Sequence, residues 1–352
     1  MELKSGEHIT IIDNMVMAIE WYSEGKMVCT LGIENGTHEY FHGNTDQIWQ
    51  KYNIKNNLFD GEWVLYHSNG QMSDYRNYKK GKKHGTWKSW HANGVLWSEE
   101  NYENGNRHGK FCRWRNSDVK ELEAEYKNDL RSGLWKFYFD NGLKLEQGKY
   151  VEGKKEGEWL SFYENLDDQI IHEIYTYEDN LKTGEYTRYY NNRVIAEQGN
   201  LIDGKRDGSW NFYFRSKANT PQKIRKVIPF KNDVVDGDFF EYHPNGTERA
   251  LIKFKDGKRN GKYQSFYSNS KKKIITTYKN NKRSGKYMEY FNNGKARCEG
   301  KLVKETMVGK WKYWYHNGEL ECDLSFNKEG DILDGIVYHD NGKLKLERKF
   351  ND

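Results

Sequence analysis

The stretch Gly61–Gly70, GEWVLYHSNG, decides the fold because the chain repeats it. Gly309–Gly318, GKWKYWYHNG, keeps the same order of a glycine, a polar residue, a tryptophan, two variable positions, two ring-bearing positions and a closing Asn-Gly. From Gly61 to Gly157 the repeat glycines follow every 24 residues, and the later gaps are 27, 24, 29, 24, 24 and 24. A fixed period of this length predicts a repeat architecture. The repeat glycines are Gly61, Gly85, Gly109, Gly133, Gly157, Gly184, Gly208, Gly237, Gly261, Gly285 and Gly309.

Each repeat contains two turn signals when its glycine is counted as position 0. Asn-Gly at positions +8 and +9, as in Asn69-Gly70, is typical of a two-residue type I′ hairpin turn. A second turn follows eleven residues later, as in Lys80-Gly81 and Asn104-Gly105, where the residues tolerate positive φ. Each repeat is therefore predicted to be strand, turn, strand, turn.

The hairpin register assigns side chains to faces. Two-residue loops would place the glycine opposite position +17, an aromatic residue or leucine such as Tyr78, and a ring over a cross-strand glycine is a known packing device. The same register predicts +2, +6, +11 and +17 on one face and +5 on the other, unchanged between repeats because the period is even. The predicted fold is all-β, an elongated single-sheet meander or solenoid of about twelve or more 24-residue β-hairpin repeats.

Three regions are predicted along the chain. Residues 1–60 form a diverged N-terminal cap and first repeats, 61–332 the regular repeats, and 333–352 a C-terminal capping hairpin. Insertions near 164–172 and 215–226 both fall at the first turn. In the first region, Glu24-Gly25 and Asn35-Gly36 are expected turns, and Asp46–Tyr52 is expected to be a short helical turn or a loop covering the sheet edge.

Composition limits the classes of protein that fit. The 352 residues are 36% hydrophobic and 15% aromatic, so the apolar surface is concentrated in rings at fixed positions. A net charge of +5 is near balance for this length and does not indicate specific nucleic-acid binding. Cys298 and Cys322 share position +13 of adjacent repeats, about 9.6 Å apart and too far for a disulfide. Reduced thiols and the lack of a signal-peptide pattern at the start of this sequence predict a cytoplasmic protein.

Two columns of side chains are candidate binding surfaces. Position +5 forms an aromatic stripe with polar borders, which favours a protein partner, although twist or Lys and Arg stems could also cover it. The stripe candidates are Tyr66, Trp90, Trp114, Tyr138, Tyr290 and Trp314. Two residues before each repeat glycine lies a basic column that could meet phosphates or an acidic surface, or form a solvated edge offset by upstream acids such as Asp129 and Asp233. The column comprises Lys83, Arg107, Arg131, Lys155, Lys182, Arg206, Arg259 and Arg283.

Catalysis, metals and cofactors are not expected. His67, His91 and His243 share position +6, where other repeats have rings, and neighbouring repeats would hold them about 9.6 Å apart, too far to share zinc. The polar residues form periodic columns, and no nucleophile elbow, P-loop, HExxH or CxxC pair occurs.

The repeat resembles the variant MORN repeat of bacterial YwqK-like proteins, a class regarded as antitoxin components. The resemblance rests on GKWKYWYHNGEL at 309–320, GTWKSWHANGVL at 85–96 and YKKGKKHG at 78–85. It implies a sheet of hairpins that binds partners without chemistry. Our hypothesis is a non-enzymatic, protein-binding scaffold that neutralises a toxin. The alternatives are a surface or secreted adhesin or effector, and a protein that binds anionic lipid through the basic column.

Overall fold

The computed structural model describes residues 6–12, 15–23, 26–31, 34–43, 45–164 and 169–349. Their regular elements are all β-strands, paired antiparallel wherever a register is defined, so the predicted all-β meander of hairpin repeats is confirmed. No helix in these residues has the length and apolar character needed to cross a membrane. Contacts divide the chain into unit 1, residues 1–170 with 177–180, and unit 2, residues 171–176 with 181–352.

Unit 1 is a sheet of successive hairpins. Its strands are Gly6–Ile12, Met15–Ser23, Lys26–Leu31, Gly36–Phe41, Ile48–Lys55, Leu58–Tyr66, Met72–Lys79, Lys82–Lys83, Gly85–Trp90, Leu96–Glu103, Asn106–Trp114, Lys120–Lys127, Leu130–Tyr138, Lys144–Val151 and Lys154–Phe162. The strand Ile171–Glu178 has residues in both units.

Unit 2 has the same organisation. Its strands are Leu181–Tyr189, Ile195–Ile202, Lys205–Tyr213, Ile224–Lys231, Val234–Val235, Gly237–Tyr242, Glu248–Lys255, Lys258–Phe266, Lys272–Lys279, Lys282–Arg283, Gly285–Tyr290, Ala296–Val303, Thr306–Trp314, Leu320–Phe326, Ile332–Tyr338 and Leu344–Lys349. Within it, each strand packs chiefly against its neighbours in the ladder, so the described part of unit 2 is a single layer.

The second turns are the predicted two-residue loops. Lys79 pairs with Lys82, and the two residues between them, Lys80 and Gly81, have φ of 50° and 74°. Positive φ at both central residues is the signature of a type I′ turn, whose twist matches that of the flanking strands.

The first turns differ from the type I′ prediction. Only the glycine of Asn69-Gly70 has positive φ, at 83°, and the loop is closed by Gly70 N donating to His67 O and His67 N donating to Gln71 O. This is a three-residue loop made of a type I turn followed by a glycine bulge. Asn69 stays right-handed, and its side chain accepts from Gln71 N and donates to Ala92 O in the next hairpin.

The repeat glycine faces position +17 as predicted, but ring packing is not the reason for it. Gly61 pairs with Tyr78 and has φ of 103°, where a side chain would be strained, and a Cβ there would approach Asn53 rather than the ring. The ring-over-glycine contact occurs at positions +2 and +15 instead. Gly148 pairs with Trp159, and a Cβ on Gly148 would lie 2.0 Å from the indole.

The core is a row of rings at positions +2 and +17, on the side of the sheet that we call the ring face. In unit 1, Trp135, Tyr150 and Trp159 follow one another with centroids 5.0 and 5.3 Å apart. Trp159 is 0% exposed. In unit 2, Tyr186 and Trp210 lie 5.3 Å apart, and Trp210 is also buried.

Position +11 does not lie on the ring face as predicted. The register shifts between Arg113 and Trp114, so that Trp114, at +5, pairs with Lys120, at +11. The bulge and the longer loop together move +11 to the face that carries +5, which we call the stripe face. Lys120 and Lys144 there lie over the +5 rings of Trp114 and Phe162.

Residues 36–55 are a regular hairpin, which corrects the expectation for Asp46–Tyr52. Strand Ile48–Lys55 pairs with Gly36–Phe41, and its alternate side chains Gln50, Tyr52 and Ile54 are buried. This period-two burial is that of a strand, not of a helical turn or a covering loop. The expected turn at Glu24-Gly25 lies outside the described residues, and Gly36, expected in a turn, begins a strand.

The thiols of Cys112, Cys298 and Cys322 are free. Tyr313 lies between Cys298 and Cys322 in the ladder, so the two cysteines are two strands apart. Burial, together with the neighbouring Glu289 carboxylate, raises the pKa of Cys298 to about 12. The Cys298 thiol therefore stays protonated near neutral pH.

Removing a ring from the row should destabilise unit 1 strongly. We expect Trp159→Ala to lower the free energy of unfolding by about 3–5 kcal/mol because it opens a cavity between Tyr150 and Tyr177. Trp97→Ala is the matched control, since Trp97 is 47% exposed, and its cost should stay below about 1 kcal/mol. Urea unfolding followed by circular dichroism measures both, and equal losses would contradict the role of the row.

Candidate functional site

The stripe candidates occupy the last residue of the first strand in their repeats. Each pairs with position +11 across the bulge, as Trp90 does with Leu96 and Trp314 with Leu320. They lie on the stripe face and are half-buried, not fully exposed as a free aromatic surface would be. The half-buried members are Tyr66, Trp90, Trp114, Tyr138, Tyr290 and Trp314.

In unit 1 the stripe is bordered by ion pairs. Lys88 Nζ lies 3.1 Å from Glu99 Oε2, and Lys136 Nζ lies 2.9 Å from Glu123 Oε2. The Lys120 ammonium lies 5.7 Å from the centre of the Trp114 ring, so a lysine covers this ring, as the alternative interpretation of the stripe expected. The unit 1 stripe is therefore a mixed surface of rings and neutralised charge.

Glu123 is the electrostatic centre of that border. Burial alone would raise its pKa, but hydrogen bonds from Lys120, Lys136 and Tyr138 outweigh this effect and lower the pKa to about 2. Burial, followed by the hydrogen bond to Glu123, raises the pKa of the Tyr138 hydroxyl. Glu123 thus remains a carboxylate that links two neighbouring strands on the stripe face.

In unit 2 the row beside the stripe is largely apolar between Val227 and Met288, a feature that the +5 column of the sequence does not indicate. Positions +3 and +14 pair across successive strands: Val227 with Phe240, Phe240 with Leu251, and Ile275 with Met288, with Gln264 between Leu251 and Ile275. All are half-buried on the stripe face. The signal was available as a run of apolar residues at positions that in unit 1 also include Lys88, Glu99, Glu123 and Lys136.

The basic column lies on the ring face, and its charged groups stack on the ring row. Lys155 Nζ is 3.8 Å from the centre of the Trp159 ring, and Arg206 Cζ is 4.7 Å from that of Trp210. Contacts of this kind contribute about 0.5–2 kcal/mol each. The same arrangement, at 3.9–5.6 Å from a ring centre, holds for Lys83, Arg107, Arg131, Lys182, Arg259 and Arg283.

The acids expected to offset the column have another role. Asp129 and Asp233 accept the backbone N–H groups of Arg107 and Arg206 at 2.8 Å. Some members also have ion pairs, such as Arg107 with Glu100 at 3.2 Å. The column is therefore partly neutralised and partly engaged with rings, and Arg107 and Arg131 are also exposed.

The histidines of position +6 have structural contacts. The Nε2 atoms of His67 and His243 lie 3.0 Å from the carbonyl oxygens of Trp90 and Phe266 in the following hairpins. Among the described residues, no group of three or more His, Cys, Asp or Glu side chains could hold a metal ion.

Comparison with known proteins identifies the repeat. The family model described as MORN repeat variant matches residues 59–80, 83–104, 259–280 and 307–328, each a segment of the hairpin array. No curated protein matches the chain.

Solved structures match at low similarity. The crystal structure of TcdB2-TccC3 is 9% identical, covering 96% of this chain and 23% of that one, with a TM-score of 0.17. ASR alternansucrase in complex with isomaltononaose is 11% identical, covering 85% of this chain and 18% of that one, with a TM-score of 0.14. The chain spans less than a quarter of the length of either.

Protonation of Glu123 should destabilise the protein. Because its pKa in the fold lies below the ordinary value of 4.5, its stabilisation is complete above that value and is lost as the pH falls toward about 2. We expect Glu123→Gln to cost about 1 kcal/mol at pH 7, discounted for partial exposure, and to converge with the wild type near pH 2. Unfolding midpoints between pH 7 and 2 measure this, with exposed Glu158→Gln as control. A constant gap would contradict the assignment.

Proposed function

We propose that the chain is a protein-binding scaffold whose main docking surface is the stripe face of unit 2. The observation that supports this proposal most is the apolar row formed by Phe240, Leu251, Ile275 and Met288. It runs beside the +5 rings Tyr242, Phe266 and Tyr290 on the same face. A partner that covers this row would remove apolar surface from water, which is the dominant favourable term in protein association.

The single-layer architecture favours the same conclusion. Protein domains usually bury one face of a sheet against a second layer, but the strands in the described part of unit 2 pack chiefly against their ladder neighbours. The ring face gains burial from its own aromatic rows and from stacked cations such as Arg206. On the stripe face of unit 2 the apolar row is only half-buried and has charged neighbours such as Lys253 and Lys272, so a partner that covers the row would add burial.

A finer form of the proposal follows the resemblance to YwqK-like proteins. The chain would act in the cytoplasm without catalysis, and its partner would be a toxic protein that it neutralises. Co-expression with the product of an adjacent toxic gene tests this form, because neutralisation restores growth of the host cell. The same co-expression with a docking-defective variant should leave the toxin active.

Charge placed in the apolar row should abolish partner binding. We expect the double variant Ile275→Lys and Met288→Glu to weaken capture at least tenfold, since central anchors of interfaces each contribute about 2 kcal/mol or more. Lys273→Glu is the control, because Lys273 lies with Ser265 and Ile274 on the ring face. This variant should bind the partner as the wild type does. Immobilised protein and quantitative mass spectrometry of retained proteins give the measurement.

The outcome must be separated from a folding defect. Circular dichroism spectra and thermal midpoints of the variants should first be matched to the wild type. A partner that binds the wild type and the double variant equally would exclude the stripe face of unit 2. Loss of that partner in Trp90→Ala with Trp114→Ala would instead move the site to the stripe of unit 1.

A further inference from the structure

Side-chain oxygens bind backbone N–H groups around the second turns, in an arrangement that we call the clasp. The second residue of the turn accepts the N–H of the residue two before the repeat glycine, as Asp129 does from Arg107 at 2.8 Å. The residue just before the repeat glycine accepts the N–H of the first turn residue, as Asp60 does from Lys80 at 3.0 Å. The first bond recurs with Asn180, Asp233, Asn281 and Glu305 as acceptors, and the second with Glu156, Asp207 and Asp236.

The repeat that begins at Gly85 has neither half of the clasp. Its turn is Asn104-Gly105, so the second residue has no side chain, and the residue before the glycine is His84. Gly105 N donates to Lys83 O at 2.9 Å, which places this turn directly beside Lys83. Among the described side chains, no carboxylate or amide oxygen bonds the N–H of Lys83, whereas the equivalent N–H groups of Arg107 and Arg206 each have one.

A cavity of about 390 Å³ lies at this position. Its floor is formed by Phe59, Trp63 and Tyr78, with the Phe59 centroid 4.6 Å from that of Trp63 and 5.4 Å from that of Tyr78. The two turns and the side chains of Lys82 and Lys83 complete the lining, which contains no acidic residue. Phe59 takes the place that a basic residue has in the other repeats of unit 1, so among the described side chains the only cation over a floor ring is Arg76, whose Cζ lies 5.7 Å from the Trp63 centre.

The charge around the cavity is positive. Lys79, Lys80, Lys82 and Lys83 surround the turn at Gly81. Burial lowers the pKa of Lys83, and the nearby Arg107 and Arg76 lower it further, against the opposing effect of Glu100. An anion in the cavity would offset this repulsion.

Two further repeats lack both carboxylate or amide groups of the clasp: the one that begins at Gly133, and the one that begins at Gly184, where the turn is Asp203-Gly204. The turn Glu152-Gly153 also has glycine as its second residue, and Ser132 precedes its repeat glycine. There the space is taken by Leu130, whose Cδ2 atom would lie 3.6 Å from a Cβ on Gly153. At Gly105 the nearest atom to such a Cβ is Lys82 Cβ at 4.0 Å, so the site is open.

We propose that this cavity binds a small aromatic carboxylate. The carboxylate would take the place of the missing Asp, accepting the Lys83 N–H and pairing with Lys82, while the ring packs on Trp63 and Tyr78. The chain itself supplies the precedent, because Asp129 and Asp233 place carboxylate oxygens on the equivalent N–H groups. The site lies on the ring face of unit 1 and does not depend on the proposed docking surface of unit 2.

Indole-3-acetate is the probe, with neutral indole-3-acetamide as its control. For a ligand of this size we expect a Kd of about 1 mM by calorimetry for the acid and at least tenfold weaker binding of the amide. In ¹H–¹⁵N spectra the acid should shift the Lys83 amide. A peptide that ends in phenylalanine with a free carboxylate is the second probe. If it binds the cavity and shifts the Lys83 amide as indole-3-acetate does, the ligand carboxylate is assigned to the C-terminus of a chain.

Gly105→Asp should close the site from within by completing the clasp. Asp is accepted at the second position of this turn type, as Asp129 with φ of 64° demonstrates, so the fold should be retained. We expect at least tenfold weaker binding of indole-3-acetate in Gly105→Asp and in Lys82→Glu, and unchanged binding in the matched control Gly153→Asp. Absence of saturable binding by both probes, or equal losses in Gly105→Asp and Gly153→Asp, would overturn the proposal.

Discussion

Contact between rings on neighbouring strands is the interaction on which both units depend. A single-layer sheet has no second layer to exclude water, yet Trp159 is completely buried. Its burial comes from Tyr150 and Tyr177 on either side and from the Lys155 ammonium 3.8 Å above its ring. The aromatic side chain supplies most of the buried area and the cation covers the exposed ring face. A chain with a mean hydropathy of −1.08 can therefore fold without a conventional core.

The part of this arrangement that depends on period could be predicted from the sequence. An even repeat length keeps +2 and +17 on one face, and the observed register of Gly61 with Tyr78 agrees with that expectation. The part that depends on loop geometry could not. Asn-Gly fits a type I′ turn and also a type I turn with a glycine bulge, and only the φ of the asparagine separates them. That one extra loop residue, with the bulge that follows it in the next strand, places Lys120 and Lys144 on the stripe face.

The polar side chains in the periodic columns have a structural role, because they form hydrogen bonds with backbone groups at the turns. Asn69 closes its own loop at Gln71 N and reaches Ala92 O in the next hairpin at 2.7 Å, so one side chain satisfies two turns. The clasp does the same at the opposite end of the hairpins. These hydrogen bonds cost little and couple each hairpin to its neighbour, which is how stability accumulates in a repeat array. The recurring Asn and Asp residues are thus accounted for without any ligand.

Binding sites are consequently to be sought where the chain departs from its own columns. Phe240, Leu251 and Met288 form an apolar run at positions where unit 1 mixes apolar residues with ion pairs such as Lys88 with Glu99. Gly105 lacks the side-chain acceptor that Asp129 and Asp233 supply in their repeats, which leaves the Lys83 N–H group beside open space over three rings. The first departure gives the stripe face of unit 2 an apolar row. The second exposes the Lys83 N–H donor among lysines. An apolar partner and an anionic ligand are therefore recognised by different chemistry, and a variant at either place leaves the residues of the other unchanged.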